Sequence, residues 1–193
     1  LGYHDFDDSS TNHKYYEMDG LTTFISHTAS MLADKGILLV NSAGNDGMGT
    51  WKKLNFPADA RNIITVGAIT PHGDNAAFSA VGPTADGRIK PDVMAYGSPA
   101  VVISGRGTIV DDMGTSFSAP LISGMVACLW QAFPQMTNQE IRKLILQSSD
   151  KFLAPNNQYG YGIPDINLAL SNGLSEESFL KDNFIIYPNP TTD

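Results

Sequence analysis

Two short runs limit the architecture more than anything else in this chain. ILLV (Ile37–Val40) is four apolar residues in a row, and NIITVGAI (Asn62–Ile69) is rich in β-branched residues. A strand that alternates apolar and polar residues can leave one face in water. A continuous apolar run has no face to spare, so it fits a strand covered on both sides, the usual state of a parallel sheet. KPDVMAYG and AVVISG add two short strand candidates, each closed by glycine. Between the strands the period changes. Leu21, Phe24, Ile25, Thr28, Met31 and Leu32 recur at helical spacing, and Gly36 supplies a stop. Ser116 to about Phe133 reads as a helix. Thr137 opens another: TNQE puts Glu140 three residues after an N-cap threonine, a capping box, with Ile141, Leu144 and Ile145 as the apolar stripe behind it. Strands alternating with helices predict an α/β domain with a mainly parallel sheet.

Charge and composition remove whole classes of function. A net charge of -8 argues against nucleic acid as a partner, because phosphate binding needs a basic face. No apolar run approaches the roughly 20 residues of a membrane span. Hydrophobic residues at 42% in a chain of 193 are enough for one domain with a real core. The single cysteine, Cys128, lies inside LISGMVACLW and reads as a small buried hydrophobe; it can form no internal disulfide. Residues 3–19 are polar and aromatic without a period, a surface loop. HDFDD (His4–Asp8) groups carboxylates with a histidine there, but such a cluster on a loop is ordinarily solvated, and no metal site is assigned. After Leu170 the composition shifts, and SNGLSEES reads as a linker.

Two stretches carry candidate chemistry. GTSFSAP (Gly114–Pro120) opens the apolar helix with two serines between glycine and proline. Small residues there serve either close packing or a nucleophile. The nucleophile elbow G-x-S-x-G does not fit, since Ser118 stands where its second glycine belongs. SAGND (Ser42–Asp46) follows the ILLV strand, and ligands of open parallel sheets bind beyond strand carboxyl ends. It is either a plain turn or the place where the Asn45 amide donates to a developing oxyanion. Nucleotide signals are weak: no lysine follows the glycines as in a P-loop, and GRGTIV (Gly105–Val110) ends in valine where a dinucleotide fingerprint needs glycine. Ser148 and Lys151 match S-x-x-K by two residues only.

Taken in order, LGY, GILLVNSAGNDG, FPAD, ITVGA, AFSAVGPTADGRIKPDVMAYG, GTSFSAP and GYGIPDINLAL resemble the subtilisin-like serine proteases, in the C-terminal half of their catalytic domain, over residues 1–171. The resemblance implies a three-layer αβα fold. It makes Ser116 the nucleophile and Asn45 the side-chain donor of the oxyanion hole, assisted by the Ser116 N–H and by Thr115. It implies that Leu1 and Gly2 line one wall of the substrate cleft and Ser42, Ala43 and Gly44 the other, with an extended peptide added as a strand between them. Asp46 would stand near the pocket mouth, either selecting a basic P1 side chain or simply solvated. The Phe56–Pro57 bond is usually cis in the family.

The family also needs a base and an orienting carboxylate, carried in H-G-T-H and D-[ST]-G. Neither motif is in this chain, and His4, His13, His27 and His72 lie outside any such context. The expectation is that these 193 residues are half of a catalytic domain, inactive alone and partnered by the missing N-terminal half. Polypeptides are the expected substrates. No cofactor is required; structural calcium is compatible with the parent protein, but the sequence names no ligands for it. FIIYPNPTTD resembles the start of a type IX secretion sorting domain, giving the organisation 1–171 catalytic, 172–181 linker and 182–193 sorting domain. That tail implies a secreted or cell-surface bacterial protein. Two rivals remain: a non-catalytic pseudoprotease or peptide-binding module with the same shell, and a nucleotide-binding α/β domain.

Overall fold

Three of the expected strands pair in parallel. The computed structural model describes residues 2–182. Its main sheet has the order β1 (Val40–Ser42), β2 (Ile64–Ile69), β3 (Val93–Tyr96). Every residue of the central β2 is buried, which is why NIITVGAI shows no polar alternation. Its one polar side chain, Thr65, satisfies itself by donating to the Ala58 carbonyl at 2.6 Å.

Successive residues of β2 point to opposite faces. Ile64 and Val66 join Val93 and Ala95 beneath α2 (Thr115–Ala132). Ile63, just before the strand, packs on Ala29 and Ala33 of α1 (Phe24–Asp34). Helices therefore cover both faces, the three-layer αβα arrangement. On the α2 side, α3 (Asn138–Gln147) contributes Ile141, Leu144 and Ile145 to the core, and α4 (Ile166–Asp182) contributes Ala169. β4 (Ala100–Ile103) and β5 (Ile109–Asp112) leave the sheet as an antiparallel hairpin that runs into Gly114.

The capping box at α3 forms as expected. Thr137 Oγ1 accepts from the Glu140 N–H at 3.3 Å, and Glu140 Oε2 accepts from the Thr137 N–H at 2.6 Å. Thr137→Ala removes one half of it. We expect a loss of about 1 kcal/mol, read as a fall of about 2–4 °C in the thermal midpoint.

Three expectations need correction. The first concerns α1, whose apolar stripe faces outward: Leu21, Phe24, Met31 and Leu32 are exposed, and the buried side is Ser26, Ala29, Ser30 and Ala33. The cause is a buried carboxylate. Asp59 accepts from Ser26 Oγ at 2.5 Å and from the Gly20 N–H at 2.8 Å, and Ser30 Oγ donates to the Gly20 carbonyl. Burial pushes the Asp59 carboxyl above its usual range, partly offset by these donors. A buried acid needs donors more than the sheet needs leucines there. The second concerns ILLV, of which only Val40 is in a strand. Ile37 is exposed where it leaves the Gly36 turn, donating to the Leu32 carbonyl.

The third concerns Cys128, which is exposed. The stripe Ile122, Val126 and Leu129 meets the sheet, and Cys128 falls on the open face with Leu121 and Gly124. α4 runs through residues 172–181, so the stretch expected as a linker has a helical backbone. The 182–193 sorting-domain expectation lies outside the described residues apart from Asp182, the last residue of α4.

Candidate active site

Parallel strands bring the ends of β1 and β3 to one edge, and the start of α2 is held there. The Gly114 N–H donates to the Gly97 carbonyl just past β3 at 3.0 Å. Beyond β1, the Ala43 N–H donates to the Val66 carbonyl at 2.9 Å, extending the ladder to the Gly44–Asn45 loop. SAGND and GTSFSAP, 70 positions apart at Asn45 and Thr115, meet through three hydrogen bonds. Thr115 N–H donates to Asn45 Oδ1 at 3.0 Å and Thr115 Oγ1 donates to the same oxygen at 2.9 Å. The Gly44 N–H donates to Thr115 Oγ1 at 3.2 Å.

This network fixes the Asn45 amide. Its oxygen is spent on two donors from Thr115, so the NH₂ group must face the other way. Nδ2 stands over the helix start: a Cβ built on Gly114 would lie 3.4 Å from it. No described acceptor takes its protons. Thr115 is thus the residue that orients Asn45.

The two serines separate cleanly. Ser118 is fully buried and its hydroxyl has no partner, so it packs. Ser116 is exposed in the first turn of α2, and its hydroxyl makes no hydrogen bond among the described residues. The N–H groups of a first helical turn lack intrahelical acceptors and form the positive end of the dipole, a setting that favours negative charge. Pro120 deepens this local openness. It has no N–H to return to the Ser116 carbonyl four residues back.

On the other side, Leu1 lies outside the described residues. Tyr3 and Phe56 exchange backbone hydrogen bonds at 3.0 and 3.2 Å, which sets Gly2 beside Asn55. Phe56–Pro57 is cis. Asn55 joins the two expected walls: a Cβ on Gly2 would lie 3.0 Å from its Cβ, and one on Gly44 would lie 2.9 Å from its Nδ2. That Nδ2 donates to Asp46 Oδ2 at 2.6 Å. Sequence reasoning missed Asn55. Its only signal was its place one residue before FPAD. Of Ser42, Ala43 and Gly44, all are buried, and Asp46 is half-buried and tied to Asn55 rather than free in water.

None of the four histidines bonds to Ser116. His4 stacks on Trp51 at 4.5 Å, and its Nδ1 is 3.1 Å from Asn55 Oδ1. Because Asn55 Nδ2 serves a carboxylate, Oδ1 is the acceptor and His4 Nδ1 carries the proton. His13 packs against Phe56 and Phe6, 3.6 Å from Glu17. His27 and His72 are exposed on α1 and on a turn. Among the described residues no group of three or more His, Cys, Asp or Glu is placed to hold a metal ion, HDFDD included. Asp8 instead caps a 3-10 helix at Ser9–Thr11. Nor does any helix among the described residues have the length and apolarity to cross a membrane.

Known proteins resemble this chain in sequence and fold. The model of the subtilase family covers residues 8–162. The chain is 30% identical over 149 residues to serine protease AprX of Bacillus subtilis (strain 168), covering 66% of this chain and 34% of that protein. It is 29% identical over 149 residues to Subtilisin NAT of Bacillus subtilis subsp. natto, covering 77% and 37%. The solved self-cleaved protease domain of PatA superposes with a TM-score of 0.64 at 26% identity, covering 77% of this chain and 54% of that one. The chain thus spans about a third of the length of these two curated relatives. With a family match across most of its length and this fold, the chain belongs to the subtilase family of serine proteases.

Proposed function

We propose that the protein containing this chain is a serine endopeptidase that cleaves peptide bonds through an acyl-enzyme on Ser116. One observation carries the reading: Thr115 holds Asn45 by its oxygen, which leaves the amide protons aimed at the space beside an exposed serine at a helix start. In the reaction, Ser116 Oγ attacks the peptide carbonyl and its proton passes to a histidine. The carbonyl oxygen becomes an oxyanion between the Asn45 NH₂ and the Ser116 N–H. Collapse expels the amine, which takes the proton, and water then hydrolyses the ester. The histidine and its carboxylate partner come from residues outside these 193.

The substrate lies extended between Leu1–Gly2 and Ser42–Gly44, bonded to their backbone as an added strand. Asp46, its carboxylate directed by Asn55, favours a basic P1 side chain. The FIIYPNPTTD tail supports export through the type IX pathway to the medium or cell surface. A second reading, a peptide-binding module without catalysis, draws on the four histidines, each placed away from Ser116.

The test compares two proteins against the same peptide substrates. The 193-residue chain alone gives no turnover that Ser116→Ala removes. The same chain continued upstream through its own coding sequence gives turnover that Ser116→Ala abolishes. Ser116-dependent cleavage by the 193 residues alone would overturn the assignment of the base to outside sequence. A longer protein that binds peptides without cleaving them would favour the second reading.

A further inference from the structure

The β4–β5 hairpin stands off the core, although it runs straight into the helix start that carries Ser116. Every residue of β5 is exposed, and Val101, Ile103 and Ile109 show 71, 76 and 76% of their surface. Only Ala100, at the base, is buried. Among the described residues, every hydrogen bond of 101–113 closes inside the hairpin. The strands pair from Ala100–Asp112 to Ile103–Ile109. In the turn, the Ser104 N–H donates to the Thr108 carbonyl at 2.8 Å and the Gly107 N–H to the Ser104 carbonyl at 2.9 Å. A two-stranded hairpin with nothing packed on it is marginally stable in water. Its local opening therefore costs little, and exposed loop tips of this kind are where chains are nicked.

Arg106 stands at that tip. It is exposed, and its guanidinium bonds to nothing among the described residues. The other three arginines are spent, Arg61 and Arg88 on Asp86 and Arg142 on Asp92. Exposed lysines elsewhere sit on backbone that is tied down. The Lys52 carbonyl accepts from the Val81 N–H at 3.2 Å, and the Lys14 carbonyl from the Glu17 N–H at 3.0 Å. The Lys35 N–H closes α1 on the Met31 carbonyl at 3.1 Å, and Lys143 lies within α3.

We infer that the Arg106–Gly107 bond is a cleavage site for an endopeptidase that takes a basic P1 residue, and that the cut leaves a folded two-chain protein. Hydrolysis breaks the bond between the Arg106 carbonyl carbon and the Gly107 nitrogen. Water supplies the oxygen of the new Arg106 carboxylate and the proton of the new Gly107 amine. The core bridges the cut. Ile64, Val66, Val93 and Ala95 come from one piece, and Ile122, Val126, Leu129, Ile141 and Leu144 from the other. Hydrogen bonds cross it too: Thr115 to Asn45, Gly114 to Gly97, Arg142 to Asp92. The nucleophile helix and the oxyanion donor thus sit on separate chains in one fold. Two sources fit the chemistry, an unrelated protease and a second copy of this protein; the latter rests on the basic P1 preference proposed for Asp46. The four residues of β5 span about 10 Å and part the turn from the Ser116 that follows them, so a copy cuts another molecule.

The substrate for the test is the chain continued upstream through its own coding sequence and carrying Ser116→Ala, which cannot cut itself. Limited trypsin, which needs a basic P1 residue, is the first probe, and mass spectrometry locates the cuts. Cleavage at Arg106–Gly107 is expected about tenfold faster than at any other basic residue of these 193, in proportion to how often each segment opens. Arg106→Gln removes that cut. The two pieces co-elute in size-exclusion chromatography and part only in denaturant. The active longer protein, added in place of trypsin, identifies the source. The same cut assigns it to a second copy. No cut, where trypsin still makes it, assigns the site to another protease and counts against the Asp46 preference alone. The inference is overturned if trypsin cuts elsewhere in these residues as fast, if Arg106→Gln is still nicked at this turn, or if the pieces separate once the bond breaks.

Discussion

If Ser116 is the nucleophile proposed above, Ser116→Ala, made in a longer form of the protein that supplies an aspartate and a histidine, is expected to lower kcat by about 10⁶-fold, and Ser118→Ala to leave it within a few-fold. The first magnitude is the one measured for the nucleophile of a subtilisin, a member of the same family. The contrast is what the geometry adds. Ser118 Oγ is shut in the core without a partner, so its loss removes an unsatisfied group and touches no reacting atom. Asn45→Leu is expected to lower kcat by about 10²–10³ with KM little changed, again the subtilisin figure for such a donor. An oxyanion exists only after attack, so a donor aimed at it stabilises the transition state and not the bound substrate. Thr115→Val should reproduce part of the Asn45 loss without touching Asn45. It removes one of the two donors to Oδ1 and lets the amide rotate. Steady-state kinetics on these four variants checks the set. A Ser118→Ala loss as deep as that of Ser116→Ala would mean that the nucleophile is wrongly assigned.

The sequence is most legible where one residue type has one local job. Thr137 and Glu140 announce a helix start, and the buried run at 63–69 announces a covered strand, because neither depends on distant partners. It is least legible where a distant group decides. The outward face of α1 is set by Asp59, 33 positions after Ser26, and periodicity reports only the spacing of apolar residues, never the direction in which they point. Cys128 escapes for a related reason. A helix apolar all round has no polar face to mark its open side. For the site, Ser116, Asn45 and Thr115 are named through a resemblance carried by short motifs. Their roles in one another's geometry, and the part of Asn55, emerge only when the loop at 42–46 and the helix start at 114 are seen side by side.

Asp92→Ala is expected to cost about 3–5 kcal/mol, much of the roughly 5–15 kcal/mol that holds a domain together. Asp92 is buried just before β3, and its carboxylate serves three groups. Lys90 Nζ pairs with Oδ2, Arg142 Nη2 donates to Oδ1 at 2.7 Å, and the Thr65 N–H donates to Oδ2 at 2.8 Å. Its own N–H closes the ladder to the Thr65 carbonyl at 2.8 Å. Lys90 is as buried as Asp92, and its remaining partner is the Thr65 hydroxyl at 3.0 Å. Alanine therefore strands an ammonium in the core, and that stranding, not the lost attraction, is the main cost. The double change Lys90→Met with Asp92→Leu removes both charges and should recover much of the loss, leaving the Thr65 N–H unpaired and Arg142 able to turn to water. Acid gives an independent reading. Burial alone would raise the Asp92 carboxyl, but Lys90 and Arg142 outweigh it and hold it below its ordinary value. A carboxyl depressed in the fold binds its proton first in the unfolded chain. Its contribution is therefore complete above the unfolded value near about 3.9 and drains away as pH falls below it. Chemical denaturation from pH 7 to pH 3 should show a shallower acid decline in the double variant than in the parent. An identical decline would mean that other carboxylates carry the acid sensitivity.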